Sequence, residues 1–326
     1  MAMKVLIIGP AFFDYTKAIA VEINSREVYA FVFNELHSET ILSKIAYRLK
    51  LDFLFSLKVK KYRSKIYQYI DEHKITDVLF VSPDIIDKEY LVEVKQRARI
   101  HLYMWDGFCN KKNSLSVLNL FDTKASFDKF DCQEYGLHYI PLFAEKMYQS
   151  NDAEKKYDLS FCGTVHSNRL MWMKKVQRFA KDNNLRVGLF LYYYSSVLLF
   201  IRLLMNRCCF DLFNKVSYSG YKKEEIADLF KLSKAVLDIT HPNQKGLTSR
   251  TFEALRSGSK LITNNENCEM LGREYISRIF IVKNIENQQE ALLEFIELKI
   301  PPLNAKQDHF LSIERFVDQI LENWND

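Results

Sequence analysis

The feature that most constrains the fold is a regular alternation of short apolar runs with amphipathic stretches along the chain. In the first half, runs rich in Val, Ile and aromatic residues predict strands at 5–8, 28–33, 77–81 and 100–105. Between these runs, apolar residues at helical spacing predict helices at 15–23, 39–70 and 88–98. This order is typical of a parallel sheet covered by helices on both faces, so we expect an α/β fold.

The same pattern begins again in the second half of the chain. A polar stretch at 149–156 is followed by predicted strands at 157–162, 235–239, 260–263 and 279–282, and a last helix is predicted at 307–324. A chain of 326 residues also has the length of about two domains. We therefore expect two α/β domains.

Composition and missing motifs exclude several classes of protein. Only nine residues are glycine and six are proline, which excludes collagen-like and low-complexity chains. The sequence contains no G-x-G-x-x-G, G-x-x-x-x-G-K-[ST], G-x-S-x-G or H-E-x-x-H motif and no Asp-x-Asp pair. We expect no cofactor and no protein-held metal ion. The net charge of +5 is mild and no nucleic-acid reader motif is present, so we expect no nucleic-acid partner.

Cysteine usage and hydropathy bear on location. Six cysteines without a C-x-x-C pair are typical of free thiols in a reducing compartment, so we expect a cytoplasmic protein. The uncharged run at 187–201 is shorter than the ~20 residues that a membrane span needs, which predicts a buried or interfacial segment. Peripheral attachment to the inner face of the cytoplasmic membrane stays open.

The segment at 235–258 carries the most information about a ligand. A predicted strand leads into a polar loop, and a helix is expected to begin near Thr248 and to end at Gly258. The N–H groups at such a helix start can bind an anion, and Gly246 lets a phosphate approach the backbone.

Arg250 and Glu253 lie three residues apart, hence on one face of this helix. The arginine can pair with a diphosphate, and the carboxylate can accept both hydroxyls of a ribose. A capped helix with a surface ion pair accounts for the same spacing, and on spacing alone neither interpretation is favoured.

This segment resembles the donor-binding segment of GT-B-fold glycosyltransferases, and most of all those that build bacterial capsule and lipopolysaccharide glycans. The residues that carry the resemblance are His241, Pro242, Gln244, Gly246, Leu247, Thr248, Arg250, Glu253, Ala254 and Leu255. Residues 158–164 resemble the first strand and loop of the family's C-terminal domain, and residues 122–143 resemble its interdomain stretch.

The resemblance implies two Rossmann-like domains facing across a cleft, the GT-B arrangement. We place an N-terminal acceptor-side domain at 1–148 and a C-terminal nucleotide-sugar-binding domain at 149–305. A C-terminal helix at 306–326 follows, for which packing against the N-terminal domain is one option.

The resemblance also implies a set of donor-binding residues. They are Gly163, Thr164, Arg169, His241, Gln244, Lys245, Gly246, Leu247, Thr248, Arg250 and Glu253. In relatives with two spaced glutamates, the second binds the donor ribose and the first lies near the sugar. Glu253 matches the second, whereas Lys245 stands at the position of the first. The sugar contacts, and retention or inversion at the anomeric carbon, therefore stay open.

Carboxylates at strand exits of the N-terminal half are candidates to deprotonate an acceptor hydroxyl. Asp106 follows a predicted strand and precedes Gly107, at the edge where α/β sites assemble. Asp14 is the second candidate base, and Asp84 lies in a similar loop. For Asp14 and Asp84, capping of a helix is the favoured interpretation.

Two further stretches suggest a membrane surface. Residues 44–65 hold eight Lys or Arg and one Asp among apolar residues, and Lys58, Lys60, Lys61 and Arg63 form the predicted membrane or acceptor patch. A solvated helix face explains this charge equally well. For the apolar part of 192–213 we expect burial in the core, with an interfacial patch as the alternative.

These observations lead to one expected function and two alternatives. We expect a metal-independent glycosyltransferase that moves a sugar from a nucleotide-sugar donor to a glycan or polyprenyl-linked acceptor in bacterial surface polysaccharide synthesis. A nucleotide-sugar epimerase of the same fold, which needs no acceptor, is the first alternative. A non-catalytic scaffold that binds glycan or membrane is the second.

Overall fold

The computed structural model describes residues 3–10, 14–35, 56–165, 169–206, 210–240 and 245–324. The chain divides into two compact units, which we call unit 1 and unit 2. Unit 1 comprises Met1–Pro141 and Ile313–Asp326, and unit 2 comprises Leu142–Ser312. The sequence-based boundaries lie at 148 and 305, whereas the compact units divide at 141 and 312.

Contacts within unit 2 explain where the units divide. The ring of Tyr148 lies 6.0 Å from that of Phe230. Asp308 forms an ion pair with Arg256, with Oδ1 and Nε 3.3 Å apart. Residues on either side of the expected boundaries therefore pack together in unit 2.

Unit 1 is built on a single parallel sheet. Its strands are β1 (Lys4–Gly9), β2 (Tyr29–Asn34), β3 (Asp77–Val81), β4 (Arg99–Met104), β5 (Thr123–Ser126) and β6 (His138–Tyr139). The sheet order is β2-β1-β3-β4-β5-β6 and every pairing is parallel. The described helices are α1 (Tyr15–Asn24), α2 (Ser56–His73), α3 (Lys88–Lys95), α4 (Lys112–Ser116), α5 (Lys129–Tyr135) and the C-terminal α13 (Ile313–Asn323).

Unit 2 has a second parallel sheet. Its strands are β7 (Tyr157–Thr164), β8 (Val187–Tyr192), β9 (Val216–Ser217), β10 (Ser233–Asp238), β11 (Lys260–Thr263) and β12 (Ile279–Ile281). Their order is β12-β11-β10-β7-β8-β9, again with parallel pairing throughout. The helices are α6 (Arg169–Asp182), α7 (Ser196–Asn206), α8 (Lys223–Lys231), α9 (Ser249–Arg256), α10 (Arg273–Ile276), α11 (Gln289–Glu297) and α12 (Ala305–Leu311).

The α/β fold class is confirmed, and the strands follow the apolar runs because both sheet faces are covered. All five residues of β3 and five of the six residues of β1 are buried. Such strands appear in the sequence as unbroken apolar runs rather than as alternating patterns. The helix predicted at 307–324 is instead α12 and α13, separated at Ser312, whose backbone is extended. Of the helix predicted at 39–70, residues 39–55 lie outside the described residues.

Strand order reverses once in each sheet, and each reversal marks where a ligand site is expected. In unit 1 the chain adds β2 on one side of β1 and β3 on the other, so the switch point lies between β1 and β3. In unit 2 the chain adds β8 on one side of β7 and β10 on the other, so the switch point lies between β7 and β10. At such a switch point the loops after the two strands run to opposite sides, which leaves a crevice at the carboxyl ends.

The expected burial of the apolar part of 192–213 is wrong for much of α7. Leu199 and Leu203 are fully buried, whereas Phe200 and Leu204 are about half exposed. Because α7 has apolar residues on all sides but packs on the core with only one side, its other apolar residues stay exposed. No helix within the described ranges is both long and apolar enough to cross a membrane.

Asp158, near the start of β7, leads to a pH-dependent prediction. Burial disfavours its charged form, but the backbone N–H of Arg186 donates to Oδ2 at 2.8 Å and Lys234 Nζ lies 2.9 Å from Oδ1. Together they lower the pKa of Asp158 from 3.8 to about 2. Because this pKa is depressed in the folded state, the stabilisation is present above pH 3.8 and is lost as the pH falls toward 2.

Asp158→Asn should therefore lower the free energy of unfolding of unit 2 by about 2 kcal/mol at neutral pH, with the difference shrinking in acid. Hydrogen exchange resolved by mass spectrometry measures this for unit 2 alone. Asp182→Asn is the matched control, since Asp182 is exposed and lies 3.9 Å from Arg178. An Asp158→Asn effect that is independent of pH would contradict the prediction.

Candidate functional site

The candidate site of unit 2 lies at the switch point between β7 and β10. Gly163 and Thr164 end β7, and Asp238 ends β10. The helix α9 begins after the loop that follows β10, and α6 begins after the loop that follows β7. Both helix starts therefore lie at the carboxyl edge of the sheet, where backbone N–H groups are available to an anion.

A buried carboxylate fixes the start of α9 to the end of β10. Asp238 Oδ2 accepts hydrogen bonds from Thr248 Oγ1 at 2.5 Å and from Thr251 Oγ1 at 3.2 Å. Thr248 is also the N-cap, because its Oγ1 accepts the N–H of Thr251 at 3.3 Å. Gly258 follows the helix with φ of +73°, a conformation that glycine adopts without strain. The predicted start and end of this helix are confirmed.

Three asparagines after β11 hold the donor loop, which we define as residues 239–248. Asn264 Oδ1 accepts the N–H of Thr240 at 2.8 Å. Asn265 Nδ2 donates to the carbonyl of Gly246 at 3.1 Å, and Asn267 Nδ2 donates to that of Lys245 at 3.0 Å. Sequence reasoning missed these asparagines, although the run Asn-Asn-Glu-Asn directly after a strand was a signal. His241 and Gln244 lie outside the described residues.

Two arginines converge on Gly163. A Cβ atom at this glycine would lie 3.2 Å from Arg250 Nη1 and 3.5 Å from Arg169 Nη1. Arg169, the first residue of α6, is oriented by hydrogen bonds from Nε to the carbonyl of Ile239 at 2.9 Å and from Nη1 to that of Thr164 at 3.3 Å. The structure thus brings together three of the predicted donor-binding residues, Gly163, Arg169 and Arg250, from three separate elements.

The electrostatics of this arginine pair suit an anion. The Nε of Arg250 is buried and has no hydrogen-bond partner among the residues that the structure describes. Burial opposes the charge of Arg250, but Cys162, Asp238 and Glu253 outweigh it and raise its pKa. The pKa of Arg169 is lowered by burial and by the nearby charge of Arg250. An anion placed between these groups would reduce their mutual repulsion and occupy a free donor.

Glu253 lies beside this pair in the core of unit 2. Glu253 is only 3 % exposed and lies on the same helix as Arg250. Tyr148 is equally buried, and its pKa is raised by burial and then by the charge of Glu253. Sequence reasoning missed Tyr148 because it lies far from α9 along the chain. Leu247, predicted as a donor contact, is also buried.

In unit 1, Asp106 lies directly beyond the end of β4. Its backbone N–H donates to Ser82 Oγ at 3.1 Å, and Trp105 donates to the same hydroxyl at 2.7 Å. Ser82 is buried and has a φ of 41°, a left-handed conformation that is strained for a non-glycine residue. The side chain of Asp106 is about half exposed and lies 3.9 Å from Lys111 Nζ. Burial raises the pKa of Asp106, although Lys111 opposes this.

The other two carboxylates form shorter ion pairs than Asp106 does. Asp14 occupies the N-cap position of α1 without capping it, and its side chain forms an exposed ion pair with Lys17 at 2.8 Å. Asp84 forms an ion pair with Lys111 at 2.6 Å. Asp106, whose pKa is raised by burial, is held by neither of these short ion pairs.

Glu35, just beyond β2, is a carboxylate that sequence reasoning missed. Its Oε1 accepts the backbone N–H of Ile85 in the loop after β3. Burial raises the pKa of Glu35 to about 7, with Asp84 adding to the effect and the Ile85 N–H and Lys111 opposing it. A lone glutamate at a strand end gives no sequence signal, because its burial depends on a loop fifty positions away.

The predicted membrane or acceptor patch is exposed only in part. Lys58, Lys60 and Lys61 are exposed on α2. Arg63 is not, because it forms an ion pair with Asp87 at 2.7 Å and lies over the ring of Tyr90 at 4.4 Å. Arg63 therefore belongs to the fold of unit 1 rather than with the exposed lysines. Within the described ranges, no cluster of three or more His, Cys, Asp or Glu side chains could hold a metal ion.

Comparison with solved structures identifies the fold. The chain is similar to Anabaena HepE in complex with UDP-glucose, with a TM-score of 0.64, 10 % identity and 99 % of each chain covered. It is similar to the UDP-GlcNAc 2-epimerase of Methanocaldococcus jannaschii, with a TM-score of 0.59, 12 % identity, and 98 % and 100 % covered. It is also similar to the lipopolysaccharide outer core galactosyltransferase WaaB, with a TM-score of 0.55, 14 % identity, and 99 % and 98 % covered.

These likenesses show that the chain has the GT-B fold, with two Rossmann-like domains, as the resemblance implied. No protein-family model matches the chain, and no curated protein matches it in sequence.

Glu35→Gln tests the electrostatics of the unit 1 site. Because the pKa of Glu35 is raised from 4.5 to about 7 on folding, its charge destabilises the folded state progressively as the pH rises through this interval. Glutamine keeps a carbonyl acceptor for Ile85 but does not ionise. The variant should therefore gain free energy of unfolding relative to the wild type between pH 4.5 and about 7, measured by hydrogen exchange in unit 1. Glu89→Gln, at an exposed position in the first turn of α3, is the control, and a constant difference would contradict the assignment.

Proposed function

We propose that the protein is a glycosyltransferase that moves a sugar from a nucleotide-sugar donor to a glycan or polyprenyl-linked acceptor in bacterial surface polysaccharide synthesis. The observation that carries this proposal is the convergence of Arg169 and Arg250 on Gly163 at the switch point of unit 2. Two guanidinium groups, a free Nε donor and two helix starts form the complement of a diphosphate.

The solved structures support a nucleotide-sugar ligand for this fold. HepE was solved with UDP-glucose, and WaaB is named a galactosyltransferase. A nucleotide sugar also needs contacts for its sugar in addition to those for its phosphates. The polar donor loop, which follows β10 at the same edge as the arginines, can supply them. We assign this role to His241, Gln244, Lys245 and Thr248, following the family resemblance.

In the proposed reaction, residues of unit 2 stabilise the leaving anion and a residue of unit 1 accepts a proton. An acceptor hydroxyl oxygen bonds to the anomeric carbon as the bond from that carbon to the diphosphate oxygen breaks, and the nucleoside diphosphate leaves with the electron pair. Arg169, Arg250 and backbone N–H groups of α9 stabilise the leaving anion, which needs no metal ion for charge compensation. Asp106 takes the hydroxyl proton, because its raised pKa makes it a stronger base than an exposed aspartate.

A second function is favoured by one observation. The Methanocaldococcus jannaschii UDP-GlcNAc 2-epimerase shares the fold at a TM-score of 0.59. An epimerase would use the same donor site but would act on the nucleotide sugar without any acceptor.

Incubation with a panel of nucleotide sugars, with and without a polyprenyl-phosphate or glycan acceptor, separates the alternatives. Sugar transfer to the acceptor supports the proposal, and transfer should continue in the presence of a chelator. An isomerised nucleotide sugar in the absence of acceptor supports the epimerase. Absence of nucleotide binding in calorimetry with UDP, GDP, dTDP and CMP would leave the scaffold interpretation.

The exposed lysines of α2 are proposed to serve the acceptor. Lys58, Lys60 and Lys61 lie exposed on one helix of unit 1, where they can attract an anionic membrane surface or the phosphates of a polyprenyl-linked acceptor. Such attraction weakens with salt, because exposed charges are screened over about 8 Å at physiological ionic strength.

Gly163→Ala should weaken binding of the donor nucleotide at least about tenfold, the loss of roughly one charge-assisted hydrogen bond. The added methyl would displace the ends of Arg250 and Arg169 and would lie 3.2 Å from the ring of Phe161, a contact that a shift of a few tenths of an ångström relieves, so the fold should persist. Gly220→Ala is the matched control because no atom lies within 4 Å of its added Cβ. Calorimetry with the preferred nucleoside diphosphate gives the affinities, and equal affinity in both variants would refute the assignment.

Variants of Glu253 and Asp106 should affect different steps. Glu253→Gln should weaken nucleoside diphosphate binding at least about tenfold, since an amide cannot accept two ribose hydroxyls as a carboxylate does. Asp106→Asn should leave nucleotide affinity unchanged and lower kcat of transfer by about 10²-fold or more. Circular dichroism checks the fold of both variants. Asp14→Asn provides the comparison in unit 1, and a kcat loss equal to that of Asp106→Asn would remove the preference for Asp106.

A further inference from the structure

The helix α7 of unit 2 is apolar on the side that faces solvent as well as on the side that faces the core. Leu199 and Leu203 are fully buried in the core of unit 2. The remaining large aliphatic and aromatic residues of the helix are between 45 % and 80 % exposed: Val197, Leu198, Phe200, Ile201, Leu204 and Met205. A surface helix normally has polar residues on its outer face, so this face lacks the usual adaptation to water.

The exposed residues form one patch, which we call the α7 patch. Among the described residues, sixteen large hydrophobic side chains are exposed, and nine of them lie between positions 194 and 218. These nine are Tyr194, Val197, Leu198, Phe200, Ile201, Leu204, Met205, Phe210 and Tyr218. The ring of Phe200 lies 6.5 Å from that of Phe210, so the patch continues beyond the helix. A concentration of this kind is typical of an interaction surface.

The charges around the patch indicate which surface it contacts. Within α7 the one charged residue is Arg202, and the helix contains no Asp or Glu. A bilayer with anionic headgroups attracts such a helix, and no carboxylate of α7 has to be desolvated when its apolar side chains enter the acyl region. Tyr194 and Tyr218, about 62 % and 39 % exposed, have the amphipathic rings that favour the headgroup level.

We propose that α7 inserts into the interface of an anionic lipid bilayer, lying parallel to its surface. The helix has 11 residues and is therefore about 16 Å long, enough to lie in the interface and too short to span it. Leu199 and Leu203 stay anchored in unit 2 while Phe200, Ile201 and Leu204 enter the acyl region. The patch shares no residue with the proposed donor site, so the proposal stands apart from the sugar transfer.

A second copy of the chain is a less suitable occupant. In a two-fold dimer the same patch would meet itself, and a helix whose one charged residue is Arg202 would face an identical helix. Like charges at the rim would then oppose association. A lipid surface with anionic headgroups has the complementary charge.

Vesicle flotation with the full chain tests the proposal. The wild type should bind vesicles of phosphatidylcholine with phosphatidylglycerol, and Phe200→Glu with Leu204→Glu should reduce the bound fraction at least about tenfold, because two charges would enter the acyl region. Val21→Glu is the matched control, since Val21 is 68 % exposed on α1 of unit 1. The control should bind as the wild type does. Equal binding by the double variant would overturn the proposal.

Three further measurements keep the test decisive. Leu204→Trp should show a blue-shifted emission on addition of the same vesicles, whereas Val21→Trp should not, and an unshifted spectrum of Leu204→Trp would overturn the proposal even if the glutamate variant misfolds. Light scattering without lipid should find the same mass for wild type and double variant. If the wild type is a dimer, the double variant is a monomer and the wild type does not bind vesicles, the patch would be assigned to a second copy instead.

Lys58→Glu with Lys60→Glu and Lys61→Glu should weaken vesicle binding only at low salt, which distinguishes attraction by α2 from insertion of α7.

Discussion

The hydrogen bonds that Asp238 accepts from Thr248 and Thr251 determine the geometry on which the unit 2 site depends. This carboxylate is 2 % exposed at the end of β10, and the two hydroxyls belong to the start of α9. Because both threonines hold the first turn of α9 against the strand, the direction of the Arg250 side chain, which lies between them in that turn, is restricted. It meets the end of β7 at Gly163, a residue without the side chain that would otherwise fill that space.

Placing two guanidinium groups beside each other is unfavourable in the absence of an anion. Arg169 reflects this in a lowered pKa, for which burial and the charge of Arg250 are responsible. Arg250 stays charged because Asp238, Glu253 and Cys162 lie near it, yet its Nε makes no hydrogen bond. A fold maintains such a pair at a cost, and an anion with several oxygens offsets it by accepting hydrogen bonds from both groups.

The sequence predicted the elements whose signals are local. Thr248 as a cap, Gly258 as an end and the apolar run of β3 depend on residues within a few positions, so their chemistry is visible in the sequence. The role of Asn265 is not, because its amide donates to a backbone carbonyl 19 positions earlier that only the folded sheet brings near. The outer face of α7 was misjudged for a related reason: apolar composition indicates that a helix can be buried but not how many of its faces the rest of the chain covers.

The two units place opposite chemistry at equivalent positions of their sheets. At the carboxyl edge of unit 2, arginines dominate, whereas the same edge of unit 1 holds Glu35, Asp84 and Asp106 with Lys111 as their shared cation. In unit 2, Asp238 and Glu253 favour the charged form of Arg250 despite its burial, whereas in unit 1 burial raises the pKa values of Glu35 and Asp106. The unit 1 carboxylates are therefore suited to accept a proton, and the guanidinium groups of unit 2 are suited to receive an anion. These properties match the base and the donor site of the proposed sugar transfer, whereas a protein that only bound glycan or membrane would need no base.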